Sequence, residues 1–373
     1  MLKTVITGGA GFIGSRLARR LIGAGHQVTL VDTLSPQIHG DVPDFTPPPG
    51  ARLIRASVND LDPAVAALEQ ADVIVHLAAE TGTGQSMYRV THYVAVNELG
   101  TAHLLETLGR LPRRARKIVL ASSRSVYGEG AYRRADGTGG LVQPAPRVME
   151  TLQAGQWEFT APDGAPLAPV ATPETLAFAP ASIYAATKAA QELLLLAGCE
   201  SLGAKATILR LQNVYGEGQS LRNPYTGIIS IFFNQARQGL PINLYEDGLP
   251  SRDFVHVDDV VTAFAAAIDA DLPHGLVMNV GSGKATSIMD LAATLVRVAG
   301  FDVPQVVSGK FRLGDIRHNW ADLTLAARHL GYRPAVSLEQ GLSRFVAWAS
   351  SQPTYADRSA EAERELREKG LTA

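Results

Sequence analysis

Short runs rich in β-branched and aliphatic residues alternate with longer stretches of helical spacing through the first 125 positions. The runs fall at residues 2–6, 27–31, 52–55, 73–77 and 117–121, and their continuous apolar character predicts strands buried on both faces. Between them, residues 13–24 and 97–108 carry apolar positions at three- and four-residue intervals, and Gly25 stands where a helix terminator belongs. This alternation predicts an α/β chain. Its parallel sheet is covered by helices on both sides and joined by right-handed crossovers into a doubly wound arrangement.

The pattern then changes. Over residues 128–180 proline, glycine, alanine and scattered charge replace periodicity, which reads as an excursion over the cleft. Helical spacing resumes at 182–196, a further strand is expected at 206–211, and beyond 216 the elements are shorter. The chain therefore divides into a dinucleotide-binding domain over 1–212 that includes the excursion, a smaller α/β lobe for substrate over 213–350, and a charged tail over 351–373.

Composition removes several classes of function. Lys and Arg number 34 against 36 Asp and Glu, so the basic excess that phosphate-backbone binding demands is missing and nucleic acid is not an expected partner. The only cysteine, Cys199, permits neither an intrachain disulfide nor a cysteine-based zinc cluster; no metal is expected, Cys199 reads as a buried free thiol, and a reducing cytoplasm suits the chain. The first residues lack the layout of a secretion signal, and no apolar stretch reaches the roughly 18–20 residues of a membrane span, so no membrane contact is expected.

Chemistry enters at the end of the first strand. Gly8, Gly11 and Gly14 are spaced by three between that strand and the first helix. Glycine is needed there because a Cβ would keep the backbone from a pyrophosphate, while the helix N-terminus offers N–H groups and positive potential. Asp32, ending the second strand, can accept ribose hydroxyls and would repel a 2′-phosphate, which favours NAD over NADP. Leu77, Ala78 and Ala79 are small or apolar enough for a cofactor to lie against the fourth strand's end, and His76 reads as a core histidine.

Tyr184 and Lys188 stand four apart, on one helix face. A neighbouring cation lowers a phenol's pKa, letting Tyr184 take a proton from a sugar hydroxyl as hydride leaves the same carbon. In the serine-rich strand end, Ser123 is expected to hydrogen-bond the reacting oxygen and Ser122 to cap the strand-to-loop turn.

The loop T-G-x-x-G-F-I-G at 7–14, S-S-x-x-V-Y-G at 122–128, the Tyr184/Lys188 pair, L-R-x-x-N-x-Y-G at 209–216 and R-D-F-V-H-V-D-D at 252–259 together resemble the extended short-chain dehydrogenase/reductase family. The similarity is to its nucleotide-sugar epimerases and dehydratases and runs over residues 2–348. It implies a Rossmann-type fold with NAD as cofactor, surrounded by Gly8, Gly11, Phe12, Ile13, Gly14, Asp32, Ser57, Val58, Leu77, Ala78, Ala79, Tyr184 and Lys188. Ser57 departs from the aspartate that often meets the adenine. The implied substrate is a nucleotide-diphosphate sugar, met by Thr81, Ser123, Ser125, Asn213, Tyr245, Arg252 and Arg312. Among these, Asn213, Arg252 and Arg312 would hold the diphosphate and Tyr245 would stack on the base. The resemblance also implies a homodimer, paired through helices at 101–108 and 185–196.

Dehydratases of the family resemble one another in an acidic pair after the catalytic hydroxyl, and here those positions are Arg124 and Ser125. The implied reaction is 4-epimerisation through a transient 4-keto sugar, with hydride removed and returned by bound NAD, on a dTDP-6-deoxyhexose or a UDP-hexose. A 4-keto reductase or dehydrogenase is the alternative, followed by a 4,6-dehydratase. A non-catalytic dinucleotide sensor predicts a damaged catalytic set, whereas Ser123, Tyr184 and Lys188 are all present. Residues 80–86 and 212–220 look most like the bacterial branch that includes dTDP-L-rhamnose 4-epimerases.

Overall fold

The five apolar runs form strands β1 (Lys3–Thr7), β2 (Gln27–Asp32), β3 (Ala51–Arg55), β4 (Val73–His76) and β5 (Lys117–Ser123) in a computed structural model of the chain. It describes residues 1–40, 45–221, 227–354, 364–365 and 368–369. Two later strands complete a seven-stranded parallel sheet in the order Leu276–Val280, Lys205–Leu211, β5, β4, β1, β2, β3. Strand order reverses between β1 and β4, and ligands of doubly wound sheets bind at such a switch point. β5 runs two residues past its expected end because Ser122 and Ser123 continue the register opposite Arg210 and Leu211. The last strand, Leu276–Val280, shows that the chain returns to this sheet after residue 212.

Alternation along each strand sorts the core into two layers. On one face Ile6, Val75, Val119 and Leu209 pack with Leu17 and Leu21 of helix α1 (Phe12–Gly23) and with Val260 and Phe264 of the helix Val257–Asp269. On the other, Val5, Ile74, Ile118 and Ile208 meet Leu68, Leu104, Leu108, Leu195 and Cys199. Cys199 is fully buried, and burial pushes its thiol up to about 12. A third cluster, with Phe232, Phe233, Leu291, Leu342 and Phe345, belongs to the shorter C-terminal elements.

Two helical expectations change. The helix expected over 97–108 is α-helical only over Gly100–Arg110 and is entered through a π-helical turn, Val94–Leu99. Such turns re-aim a side chain. Here Asn97 is turned inward, where its amide bonds both backbone groups of Glu80 and donates to Thr187 Oγ1 at 2.9 Å. The helix expected over 182–196 extends over Ile183–Leu202, capped at its start by the Ser182 hydroxyl and stopped by Gly203 at φ +68°.

The excursion at 128–180 has structure that its composition hides. Strand Ala131–Arg134 pairs antiparallel with Leu167–Val170, and Tyr132, Ala161 and Leu167 make a small core of their own. None of its residues lines the cavity described below. Thr172 N donates instead to Trp320 O at 2.8 Å, and the Tyr132 ring lies against His318, so the excursion leans on residues 315–321. Most of the tail expected over 351–373 lies outside the described residues. No helix among those described is long and apolar enough to cross a membrane.

Candidate active site

At the C-terminal end of β1 the chain turns through Gly8 at φ +68°, and a Cβ there would meet Ala78 N at 2.7 Å. At Gly14 an added Cβ would lie 2.5 Å from Gly8 O. Both positions therefore exclude side chains, and α1 has Gly11 as its N-cap, so no side chain caps its N–H groups. That leaves donors and positive potential facing the loop, the environment an anionic pyrophosphate needs. Asp32 lies alongside, its two oxygens accepting Ala10 N at 3.0 Å and Leu34 N at 2.9 Å, each oxygen keeping capacity for a ribose hydroxyl.

These groups open into one cavity of about 1320 Å³. Every residue expected around the cofactor lines it: Gly8, Gly11, Phe12, Ile13, Gly14, Asp32, Ser57, Val58, Leu77, Ala78, Ala79, Tyr184 and Lys188. Thr81, Ser123, Ser125 and Asn213 line it too. Tyr245, Arg252 and Arg312 do not; they stand together beyond it, with the Arg312 guanidinium 4.8 Å over the Tyr245 ring. Arg252 is engaged differently from the expected open fork. Its terminal nitrogens donate to the carbonyls of Ser251, Ile316 and Arg317 and to Asp315 Oδ1 at 2.8 Å, so it braces the 315–317 loop. Asp253, the alternative partner in sequence, is buried and accepts instead from Ser282, Gly283 and Ala321.

Within the cavity, Ser123 and Tyr184 both face the same space, and the Ser123 hydroxyl favours the ionised Tyr184 phenol. Burial raises the phenol's pKa, and the Ser123 hydroxyl together with the Arg124 charge opposes the rise. Arg124 is thus a cation, not foreseen in the sequence, whose charge reaches Tyr184. The Lys188 ammonium donates to Ala121 O at 2.9 Å and Gln191 Oε1 at 2.8 Å. Burial pushes it down to about 7, against the pull of Glu192. Gln191 continues to Thr101 Oγ1 at 2.8 Å, and Thr101 Oγ1 lies 3.0 Å from His76 Nε2. His76 is a core histidine as expected. Burial, then Lys188, drives it down to about 3, leaving a neutral ring bonded to Thr7 at the base of the glycine loop.

The serine roles also shift. Ser123 caps the turn Arg124–Tyr127, accepting from Ser125 N at 3.2 Å. Ser122, expected as the cap, is buried and donates to Glu192 Oε1. The signal for this lay 70 residues away in sequence, in the Glu192–Arg210 ion pair at 2.8 Å.

Arg124, marked in the sequence only as a departure from the dehydratase pattern, stands in the cavity wall. Half-buried there, it donates from Nε to Asn213 Oδ1 at 3.2 Å. Burial, then Arg252, pushes its guanidinium down to about 9. Asp315 sits among four cations: burial works against its charge, but Arg252, Arg312, Arg124 and Arg147 outweigh that and hold it below the usual carboxylate range. Of these arginines Arg124 lines the cavity, and a guanidinium there can meet an anionic group of the substrate.

Comparison with known proteins agrees with this geometry. Residues 4–146 and 158–281 match the NAD dependent epimerase/dehydratase family. The chain is 41% identical over 353 residues to a dTDP-L-rhamnose 4-epimerase of Burkholderia thailandensis, covering 94% of this chain and 95% of that protein. A Thermotoga maritima UDP-glucose 4-epimerase solved with UDP-glucose superposes with a TM-score of 0.75 at 29% identity, over 93% of this chain and 98% of that one. A Bacillus cereus UDP-glucuronic acid 4-epimerase, solved with UDP-glucuronic acid and NAD, gives 0.75 at 26% identity, over 94% and 99%. NAD is the cofactor, and the side-chain-free cradle at Gly8 and Gly14 beside Asp32 fits it. The chain belongs to the NAD-dependent epimerase/dehydratase family.

Proposed function

We propose that this enzyme is an NAD-dependent nucleotide-sugar 4-epimerase acting on a dTDP-linked 6-deoxyhexose. The carrying observation is that Tyr184, Ser123 and Lys188 line one cofactor cavity together with Arg124, where a carboxylic acid would be needed to expel water. Similarity to the dTDP-L-rhamnose 4-epimerase over nearly the whole chain supports the choice of sugar.

Tyr184 takes the proton of the 4-hydroxyl while Ser123 holds the same oxygen. NAD, bound in the glycine cradle, supplies a reversible hydride acceptor for C4. Lys188, with its ammonium brought near neutrality by burial, holds a proton behind the phenol. With Arg124 in the acid's usual position, the 4-keto sugar keeps its oxygens; it turns over, and Tyr184 returns the proton to the new alkoxide. Asn213 and Arg312 meet the diphosphate, Tyr245 borders the base, and Arg252 fixes the loop that carries their surroundings. Thr81 and Ser125 face the sugar.

Incubation with dTDP-, UDP- and GDP-sugars without added cofactor, followed by mass and proton NMR analysis, should give a C4 isomer of unchanged mass. Loss of water, or turnover only with added NAD(P)H, would replace epimerisation by dehydration or reduction. Tyr184→Phe should still bind NAD and sugar nucleotide yet lose at least about a hundredfold in kcat, the scale of general-base catalysis; undiminished turnover would remove Tyr184 from its role.

Charge at Arg124 stabilises the phenolate, so Arg124→Met should raise the Tyr184 pKa and move the acid limb of the kcat profile to higher pH. Arg124→Lys should keep the limb near its wild-type position. A limb unmoved in Arg124→Met would mean that this charge does not reach the phenol.

The exposed Leu193 and Leu194, together with Leu99, put an apolar strip on the outer side of helices Ile183–Leu202 and Val94–Leu99. We assign it to a homodimer contact. Sedimentation should give twice the chain mass for wild type and a monomer for Leu193→Glu; a wild-type monomer at micromolar concentration would contradict the assignment.

A further inference from the structure

The family match passes over residues 147–157, so this stretch is an addition to the frame shared by the family. We propose that residues 147–157 are a specificity clamp on the nucleotide end of the substrate site, with Arg147 as its positioning residue. The inference rests on the reading above, in which Tyr245 and Arg312 face the nucleotide.

The addition is fastened at both ends. At its start Arg147 is buried, donating from Nη1 to Glu246 Oε2 at 2.8 Å and from Nη2 to Asp315 O at 2.9 Å. Its Nε lies 3.7 Å from Glu129 Oε1 and has no hydrogen-bond partner. At its end the Trp157 ring lies 6.2 Å from Phe311, and the next residue, Glu158, accepts from Arg317 Nε at 2.8 Å. One grip is on the turn that carries Tyr245, the other on the 311–317 loop that carries Arg312.

The gripped turn needs holding. Glu246 adopts φ +53°, a left-handed conformation that disfavours any residue with a Cβ. Its carboxylate is buried and accepts from Arg147 and Arg317, at 2.8 and 2.9 Å. Arg317 in turn donates to both Asp247 oxygens. Guanidinium forks thus fix backbone and carboxylates on both loops at once, a geometry that lysine's single point charge does not reproduce. Because Tyr245 and Arg312 stack on each other across the two loops, the clamp sets where this joined surface stands for a base and its diphosphate to lie against.

Binding of dTDP and UDP alone, measured by calorimetry on the NAD-loaded enzyme, tests the clamp without depending on the sugar or on turnover. Arg147→Met should weaken dTDP by roughly tenfold or more, the scale of lost hydrogen bonds to charged groups, and narrow the ratio of dTDP to UDP affinity. NAD content should be unchanged. Arg147→Lys should recover only part of the loss. Trp157→Ala releases the other end and should change the same ratio, so the question stays answerable if Arg147→Met does not fold. Folded variants with wild-type dTDP affinity and dTDP/UDP ratio would overturn the clamp. Wild-type enzyme that binds dTDP but epimerises no nucleotide sugar would overturn the proposed reaction and leave the clamp standing.

Discussion

A carboxylate and a guanidinium locked together inside the protein hold the reacting groups in register. Glu192 receives Arg210 through Nε and Nη2 and also accepts from the Ser122 hydroxyl, while the Arg210 guanidinium lies 4.7 Å over Tyr127 and 5.0 Å over Phe178. Desolvating such a pair is expensive and is offset only when the geometry is bidentate and the remaining lone pairs are satisfied, as here. Loss of one partner from a buried pair typically costs about 3–5 kcal/mol. Glu192 stands four residues after Lys188 on the same helix, and Ser122 immediately precedes Ser123 on β5. The pair therefore ties the helix bearing Tyr184 to the strand bearing Ser123, and a hydrogen bond between those two side chains becomes possible.

A second network runs the other way. From Lys188 it passes through Gln191 and Thr101 to His76 and Thr7, ending beneath the glycine loop. Asn97, aimed by the π-helical turn, links Glu80 of the loop after β4 to Thr187 between Tyr184 and Lys188. Cofactor cradle and proton-transfer pair are thus joined by buried hydrogen bonds whose every step is short. Electrostatic asymmetry completes the site: uncharged hydroxyls around the reacting carbon, and arginines beyond Arg124 where the diphosphate is assigned.

Much of this was legible in the chain because it is written in local periods. Continuous apolar runs gave the inner strands, three-residue glycine spacing gave the cradle, and the four-residue spacing of Tyr184 and Lys188 placed them on one helix. What escaped depends on partners far apart in sequence. Ser122 exchanges its expected capping role with Ser123 because Glu192 reaches it from the helix. Lys188 donates to Ala121 and Gln191, and Arg124 brings a second positive charge to the phenol. Arg252 gives its fork to carbonyls of a loop 65 residues on. The excursion carried no periodic signal because its strands are short and its tethers, such as Arg147, are single side chains spaced without repeat.

The account turns on reversible oxidation at C4 with nothing lost from the sugar. The most direct test supplies a dTDP-6-deoxyhexose deuterated at C4 to the enzyme in ordinary water, without added NAD, and locates the label in the product by NMR. The account predicts a C4 epimer with the deuterium retained at C4. An epimer whose C4 deuterium has been replaced by solvent hydrogen, or a product lighter by one water, would contradict it.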